Sequence, residues 1–458
     1  MSLGTVARIA ALFLVACASA RAATFEVDTG TDSVDANPGD GVCADADGHC
    51  SLRAAIIEAN ALAGEDTIEL AAGTFALTIA GTDEDAAATG DLDITDDVSI
   101  EGAGSDLTIV DAAALDRIFE IFSGLGTRSV AFSHLTMQNG FIGNTALGAG
   151  GAGMRVDALA HVALDDVVIR DNRATQSFSG IAIDTQGCVE GSRVRILDNV
   201  DTADTGSGSA VAAIHVYENA DVDLGACLTL EDSEISGNRA DQAGAIEAEF
   251  APITLRRTLI SGNEARFAGA IIANIAADTL LENVTISGNR GDPGAILNDG
   301  GSHLTLVNST VTANTSVFGS ANVGGIQDVH GGFGLTYLSN TILYGNGPGS
   351  LADDCDRATS VGGGNMIGDS AHCHLDAEPS DQLDVDPGLG PLADNGGFTW
   401  THLPGAAAID HAEAVACPAS DQRGLPRPVD GDGEGGASCD AGAVEVQRDA
   451  IFANGFDA

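Results

Sequence analysis

The sequence predicts an all-β solenoid, a parallel β-helix of about ten coils closed by an N-terminal capping helix and a C-terminal cap. Three observations predict it. The first is an internal repeat: Glu234-Ile-Ser-Gly-Asn-Arg-Ala240, Thr258-Leu-Ile-Ser-Gly-Asn-Glu-Ala265, Val284-Thr-Ile-Ser-Gly-Asn-Arg290 and Thr310-Val-Thr-Ala-Asn-Thr315 align, and Asn238, Asn263, Asn289 and Asn314 fall 25, 26 and 25 residues apart. The second is that each repeat holds three short strand-like pieces and nothing long enough for a crossover helix, so one unit cannot bury its apolar face while a stack of units can. The third is composition: 44% hydrophobic residues and 59 Gly with only 4% aromatics describe a narrow, small-residue core with many turns.

In chain order, the first element is a leader over residues 1–22. Arg8 precedes the apolar run Ile9 to Ala16, and Ala18-Ser-Ala-Arg-Ala22 supplies an A-x-A cleavage site. Leu14-Val-Ala-Cys17 also fits a lipobox, so lipidation at Cys17 stands beside ordinary cleavage. Either route exports the chain to the surface or the medium, and no apolar run is long enough for a spanning helix.

Residues 23–65 form the N-terminal cap. Ser51 is a helix N-cap, Leu52 to Ala61 is rich in helix formers and Gly64 can end the helix. Leu52, Ala55, Ile56 and Ala59 share the face that would lie across the first coil.

The coils occupy residues 66–378. Besides the Asn element, Ala243-Gly-Ala-Ile246, Ala268-Gly-Ala-Ile271, Pro293-Gly-Ala-Ile296 and Val323-Gly-Gly-Ile326 repeat, as do Ile253-Thr-Leu255, Thr279-Leu-Leu281 and Leu304-Thr-Leu306. Alternate residues such as Leu304 and Leu306 would fill the bore. The Gly before Asn238, Asn263 and Asn289 suits left-handed backbone angles, and stacked Asn side chains suit a ladder of hydrogen bonds. Weaker copies at Asn172, Asn199 and Asn346 extend the array. The column Asp166, Asp232, Arg257, Asn283 and Asn308 reads as a second turn. At about 4.8 Å per coil the rod is roughly 50 Å long, with two strand edges that need covering. Residues 379–446 make the C-terminal cap, and 447–458, with Ile451-Phe-Ala-Asn-Gly-Phe-Asp457, a sorting tail or a simple terminal strand.

Without Cys17, eight cysteines remain, an even set that in an exported chain implies disulfides. Eight allow 105 connectivities. Sequential pairing, Cys43 with Cys50, Cys188 with Cys227, Cys355 with Cys373 and Cys417 with Cys439, keeps each bond local. The rival is metal ligation by Cys355 with His372, Cys373 and His374, whose spacing lacks two ordered ligand pairs.

Cys50-Ser-Leu-Arg-Ala-Ala-Ile-Ile-Glu-Ala-Asn60 resembles the N-terminal motif of the CSLREA-domain proteins, with Ala54 where the name-giving motif has Glu. Asp386-Pro-Gly-Leu-Gly-Pro-Leu-Ala-Asp-Asn-Gly-Gly397, Thr401-His-Leu-Pro-Gly405, Ala408-Ile-Asp410, Asp421-Gln-Arg-Gly424 and Cys439-Asp-Ala-Gly-Ala443 are similar to the choice-of-anchor Q domain that often closes such proteins. The resemblance implies an exported bacterial protein with a right-handed parallel β-helix. It carries no established activity and no catalytic residue.

The 458 residues hold 67 acids and 19 basic residues, all Arg, for a formal charge of −48. Such a field repels nucleic acid, anionic lipid and polyuronates. A uronate lyase needs a strong cationic base beside Ca²⁺-binding carboxylates; Lys is missing, and Arg residues sit next to acids, as at Arg170-Asp171, with Arg423 and Arg427 in the cap motif. A hydrolase needs converging carboxylates. Asp165-Asp166 and Glu247-x-Glu249 are the candidates; Glu247 and Glu249 share a strand face, expected to be exposed and solvated, with Asn274 nearby. His215, beside Tyr217 and Glu218, is read as an ordinary surface or core histidine. No organic cofactor is expected. The ion for which the sequence offers ligands is calcium, at Asp430, Asp432 and Glu434 in a Gly-rich loop, with the acidic loop Asp35 to Asp47 as a second place and solvated turns as the competing reading. The leading expectation is a non-enzymatic, monomeric, exported module for adhesion or structure whose partner is a cell-surface glycan or protein. The alternative is a carbohydrate-active lyase or hydrolase on a scaffold like that of the pectate lyases. With Trp400 the only Trp, no groove joining carboxylates to an exposed aromatic is expected.

Overall fold

The computed structural model describes residues 22–82, 84–122, 124, 126–143, 150–175, 178–202, 211–218, 225–317, 323–329, 335–347, 353–371 and 373–447. The leader with Cys17, His372 and the tail Ile451 to Asp457 lie outside the described residues.

Each coil sends strands to three faces. Ten strands, from Leu92–Ile94 to Asp353–Cys355, make one face, each hydrogen-bonded in parallel to the next coil's copy. A 22-stranded sheet supplies the other two. The first of these starts at Thr24–Val27, paired with Asp66–Leu70, and runs to Thr359–Ser360. The second starts at Gly73–Ala76 and ends at Gln382–Leu383. They meet in the continuous strands Arg128–Gln138 and Ala160–Arg170, which bend where His134 and Asp166 take φ of 56° and 52°. Asp232, Arg257, Asn283 and Asn308 hold the same left-handed angle at the equivalent corner of later coils. A single left-handed residue turns the chain through the corner without spending a loop, and polar side chains tolerate that conformation better than branched ones.

Alternation then decides what is inside. Ile253 and Leu255, Leu304 and Leu306, and Ile246 and Ala248 are buried in one continuous core. Phe119 and Phe132 pack in the core of the early coils, their ring centroids 4.8 Å apart. At the third corner, Gly237, Gly262 and Gly288 take φ of 70°, 62° and 69°, and the Asn that follows each turns inward. Asn172, Asn199, Asn238, Asn263, Asn289, Asn314 and Asn346 are all fully buried. Each Nδ2 donates to the next Oδ1 at 2.8–3.0 Å. The column ends on Asp354, whose Oδ1 accepts from Asn346.

The helix spans Leu52–Ala61 with Ser51 as N-cap, its Oγ accepting from the Ala54 N–H at 3.0 Å. It is buried on more than the anticipated face: besides Leu52, Ala55, Ile56 and Ala59, Arg53, Ala54 and Glu58 are enclosed. The acidic loop wraps over the helix so that the N–H groups of Gly39 and Gly41 donate to the Glu58 carboxylate. Cys43–Cys50, Cys188–Cys227, Cys355–Cys373 and Cys417–Cys439 are disulfides. The bond between Cys355 and Cys373 corrects the alternative of metal ligation there, because disulfide sulfurs are not thiolate ligands.

The segment from about residue 386 onward does not sit only over the last coil. It lies along the flank of the second face: Asn283 Nδ2 donates to Ser420 O at 2.9 Å, Thr285 Oγ1 to Gln422 Oε1 at 2.5 Å, and Asn308 Nδ2 to Asp440 O at 3.1 Å. His402 Nε2 lies 2.9 Å from Ser287 Oγ. Polar Asn, Thr and Ser on the outward side of those coils are thus partnered by the C-terminal segment.

Candidate functional site on the ten-stranded face

With Leu92 and Ile94, Phe119 and Ile121, and Ile246 and Ala248 pointing into the bore, the residue between each pair points outward. Register lines these up as Asp93, Glu120, Arg155, Ala182, His215, Glu247, Ile272 and Leu297. Chemistry concentrates at two places along this row.

The early end is a charged cluster. One carboxylate oxygen each from Asp91, Asp93 and Glu120 lie within 4.8 Å of one another, all three residues buried. Arg117 Nε stands 3.0 Å from Asp91 and its Nη1 2.6 Å from Glu120. Arg155 reaches Glu120 at 3.2 Å, Asp157 at 3.0 Å and Asp184 at 2.9 Å. Burial pushes Asp91 up to about 8, against the pull of Arg117, and Asp93 up to about 7, against the Ala87 N–H.

The middle of the row is an acid, a histidine and two aromatic rings. The Phe178 and His215 rings stack with centroids 3.9 Å apart and planes 8° from parallel, and Tyr217 continues the stack at 6.4 Å. Burial drives His215 down to about 3, so its ring is neutral, and its Nδ1 has no hydrogen-bond partner. Glu247 follows His215 in register and is only 5% exposed, which corrects the expectation that it is solvated beside Glu249. Both do point outward, but the His215–Phe178 stack on one side and Ile272 on the other enclose Glu247 alone. Burial first, then the charge of Glu249, pushes its carboxyl up to about 8. Glu249 is half-buried; burial raises it and a hydrogen bond from Asn274 opposes the rise.

The other candidates are dispersed. Asp165 is bidentate to Arg193 at 2.5 and 2.6 Å, and Asp166 is the corner residue, accepting from Ser105 Oγ. Asp430 and Asp432 come together with Asp410, which sequence reasoning did not include, while Glu434 is not part of the group. Asp430 Oδ1 accepts from the Gly433 N–H, and Asp432 Oδ1 from Glu434, which is turn chemistry. Arg423 pairs with Asp421 at 2.7 Å, and Arg427 stands 3.7 Å from Glu445. Trp400 is 55% exposed, but it belongs to the C-terminal segment against a different face. Among the described residues no helix is long and apolar enough to cross a membrane.

Sequence reasoning missed Asp91, Asp93, Arg117, Glu120, Arg155 and Phe178. The usable signal was modest: Leu92-Asp-Ile94 and Phe119-Glu-Ile121 each carry an acid between two bore residues.

The description of a right handed beta helix region matches residues 179–362. No curated protein sequence matches the chain. Among solved structures, the crystal structure of pectate lyase Pel9A is similar, at 13% identity and a TM-score of 0.47, over 93% of this chain and 96% of that one. Residues 179–362 are the regular coils, and with their parallel three-face pairing the fold is a right-handed parallel β-helix.

Proposed function

We propose that this protein is an exported β-helix serving as an adhesion or structural module at or outside the cell surface. In this reading residues 1–22 are a leader, the helix region is a CSLREA-like cap, and residues 379–446 are a segment of the choice-of-anchor Q kind. The four disulfides agree with an oxidising compartment. The observation that carries the reading is the fate of the cations. Arg128, Arg170, Arg193, Arg256 and Arg257 along the coils each face a carboxylate, and Arg423 and Arg427 do so in the cap. A guanidinium held this way is neither a free base nor a counter-charge for an acidic glycan. Arg173, Arg239, Arg266 and Arg290 are exposed on the coils, but against a formal charge of −48 they leave a neutral glycan or a protein favoured over an acidic glycan as the partner.

A second reading, hydrolysis of a neutral glycan, is favoured by one specific observation. Glu247 is held protonated near neutral pH beside the less perturbed Glu249, and pairs of carboxyls pushed apart in this way supply an acid and a base.

One experiment separates the two. The purified mature protein is incubated with a panel of neutral glycans, scoring retention and released reducing ends. Retention without release is the expected result. Release that disappears in both Glu247→Gln and Glu249→Gln would transfer the protein to the second reading. Mass spectrometry of the mature N-terminus checks export, and distinguishes cleavage after Ala22 from lipidation at Cys17.

A further inference from the structure

We propose that Asp91, Asp93 and Glu120 hold a divalent cation, calcium by the chemistry of the donors, which locks the segment following the N-terminal helix onto the first rungs of the ten-stranded face.

The geometry fits. Calcium takes carboxylate oxygens at about 2.3 to 2.6 Å, so ligands around one ion lie at most about 5 Å apart. The three side chains already offer oxygens within 4.8 Å of one another. All donors are hard oxygens, which disfavours zinc and other soft-site metals.

A second observation points to a ligand independently of the clustering. Asp93 is fully buried, its Oδ2 accepts the Ala87 N–H at 2.7 Å, and its Oδ1 has no partner. A buried carboxylate oxygen left bare costs free energy that a cation would recover. Arg117 does not do this work fully: its Nε and Nη1 come within ion-pair distance of Asp91 and Glu120 yet form no aligned hydrogen bond. Charge points the same way. Among the described residues, Arg117 pairs with Asp91 and Glu120 and Arg155 with Glu120, Asp157 and Asp184, while Asp93 has no ion pair and the charges of Glu84, Asp85 and Glu120 beside it.

The position gives the ion a task. Arg53, on the helix, donates to the backbone carbonyls of Ala87, Gly90 and Asp91. A cation on Asp91 and Asp93 would therefore tie the same short segment to the coils from the other side. The group of Asp410, Asp430 and Asp432 lacks a comparable buried, unpartnered oxygen and carries no such proposal.

The test uses the full mature chain, freed of metal with chelator at about pH 7.5. Titration calorimetry with CaCl₂ should show one site, and the melting temperature should rise with Ca²⁺ and less with Mg²⁺ at equal concentration. Asp93→Asn should weaken Ca²⁺ binding by more than tenfold, and Glu120→Gln, kept as the second variant in case the first does not fold, should do the same. Asp432→Asn should leave it unchanged. A wild-type protein that neither binds Ca²⁺ nor melts higher overturns the proposal. So does binding that survives in a folded Asp93→Asn or Glu120→Gln variant, or that vanishes in Asp432→Asn.

Discussion

Asn263 Oδ1 receives two hydrogen bonds from Asn238, one from the backbone N–H at 3.0 Å and one from Nδ2 at 2.9 Å. Asn263 repeats the gesture toward Asn289 and also donates Nδ2 to Ile235 O. Each rung is thus both the acceptor for the coil before it and the donor to the coil after it. Asp354 closes the column because the last rung has only to accept: its Oδ1 takes Asn346 and its Oδ2 the Asp369 N–H.

Asn263→Ala removes the acceptor for two buried donors at once. Leaving buried donors unpaired costs about 1 to 3 kcal/mol each, so this variant should lose roughly 2 to 6 kcal/mol. Asn172 starts the column, and its Oδ1 receives the single Gly140 N–H at 2.7 Å. Asn172→Ala should therefore cost about half as much. Denaturant midpoints of the two variants measured together check the order; equal losses would mean that the ladder does not act as a chain of shared acceptors.

Arg53 is the largest fully buried side chain among the described residues. Its Nε donates to Asp32 Oδ1 at 2.7 Å and its Nη2 to Asp32 Oδ2 at 3.3 Å, while its other N–H groups end on three backbone carbonyls. Lys carries one nitrogen where this fork uses three, so Arg53→Lys cannot serve Asp32 and all three carbonyls at once, although Asp32 keeps the N–H groups of Thr78 and Ile79. A loss of about 3 to 5 kcal/mol is expected, the range for breaking a buried pair. Thermal melting at pH 7 measures it. A loss below about 1 kcal/mol would show that the helix docks through its apolar residues alone.

The disulfides differ in how much chain they close. Cys188–Cys227 bridges 39 residues and joins directly facing strand positions, whereas Cys43–Cys50 bridges 7. On loop-closure entropy the first is worth about 4 kcal/mol and the second about 2.5. Paired Cys→Ala variants, melted under identical conditions, should rank in that order.

The periodic parts of this fold were legible because the physics repeats with the sequence. Gly237, Gly262 and Gly288 need left-handed angles in every coil, the Asn after each needs a neighbour of its own kind, and Ile or Leu must return to the bore. The helix was legible from Ser51 and its apolar spacing, but not the enclosure of Arg53 and Glu58, because the partners Asp32, Gly39 and Gly41 come from loops without a pattern. The candidate site was least legible. Glu247 is buried between His215 and Ile272, which flank it only because the coils stack. Asp93 and Glu120 sit in early coils that lack the Gly-Asn marker, so no alignment placed them side by side.

That burial has a consequence for pH. Glu247 is raised from 4.5 to about 8, and His215 is lowered from 6.5 to about 3. For Glu247 the folded state holds a proton that the unfolded chain releases, so its stabilisation is complete below about pH 4.5 and is lost as pH rises toward 8. For His215 the unfolded chain takes the proton, so stability is complete above about 6.5 and is lost as pH falls toward 3. The two opposite slopes offset each other between about 4.5 and 6.5. The groups facing Glu247 are Glu249 on its own strand, neutral His215 on one neighbour and Ile272 on the other, so no cation is at hand to hold it ionised. Glu247→Gln should match the wild type near pH 4.5 and exceed it in melting temperature by a margin that grows steadily to about pH 8.5. A margin that stays constant across that range would mean that Glu247 is already ionised in the folded protein, and with it would go the acid half of the Glu247–Glu249 pair.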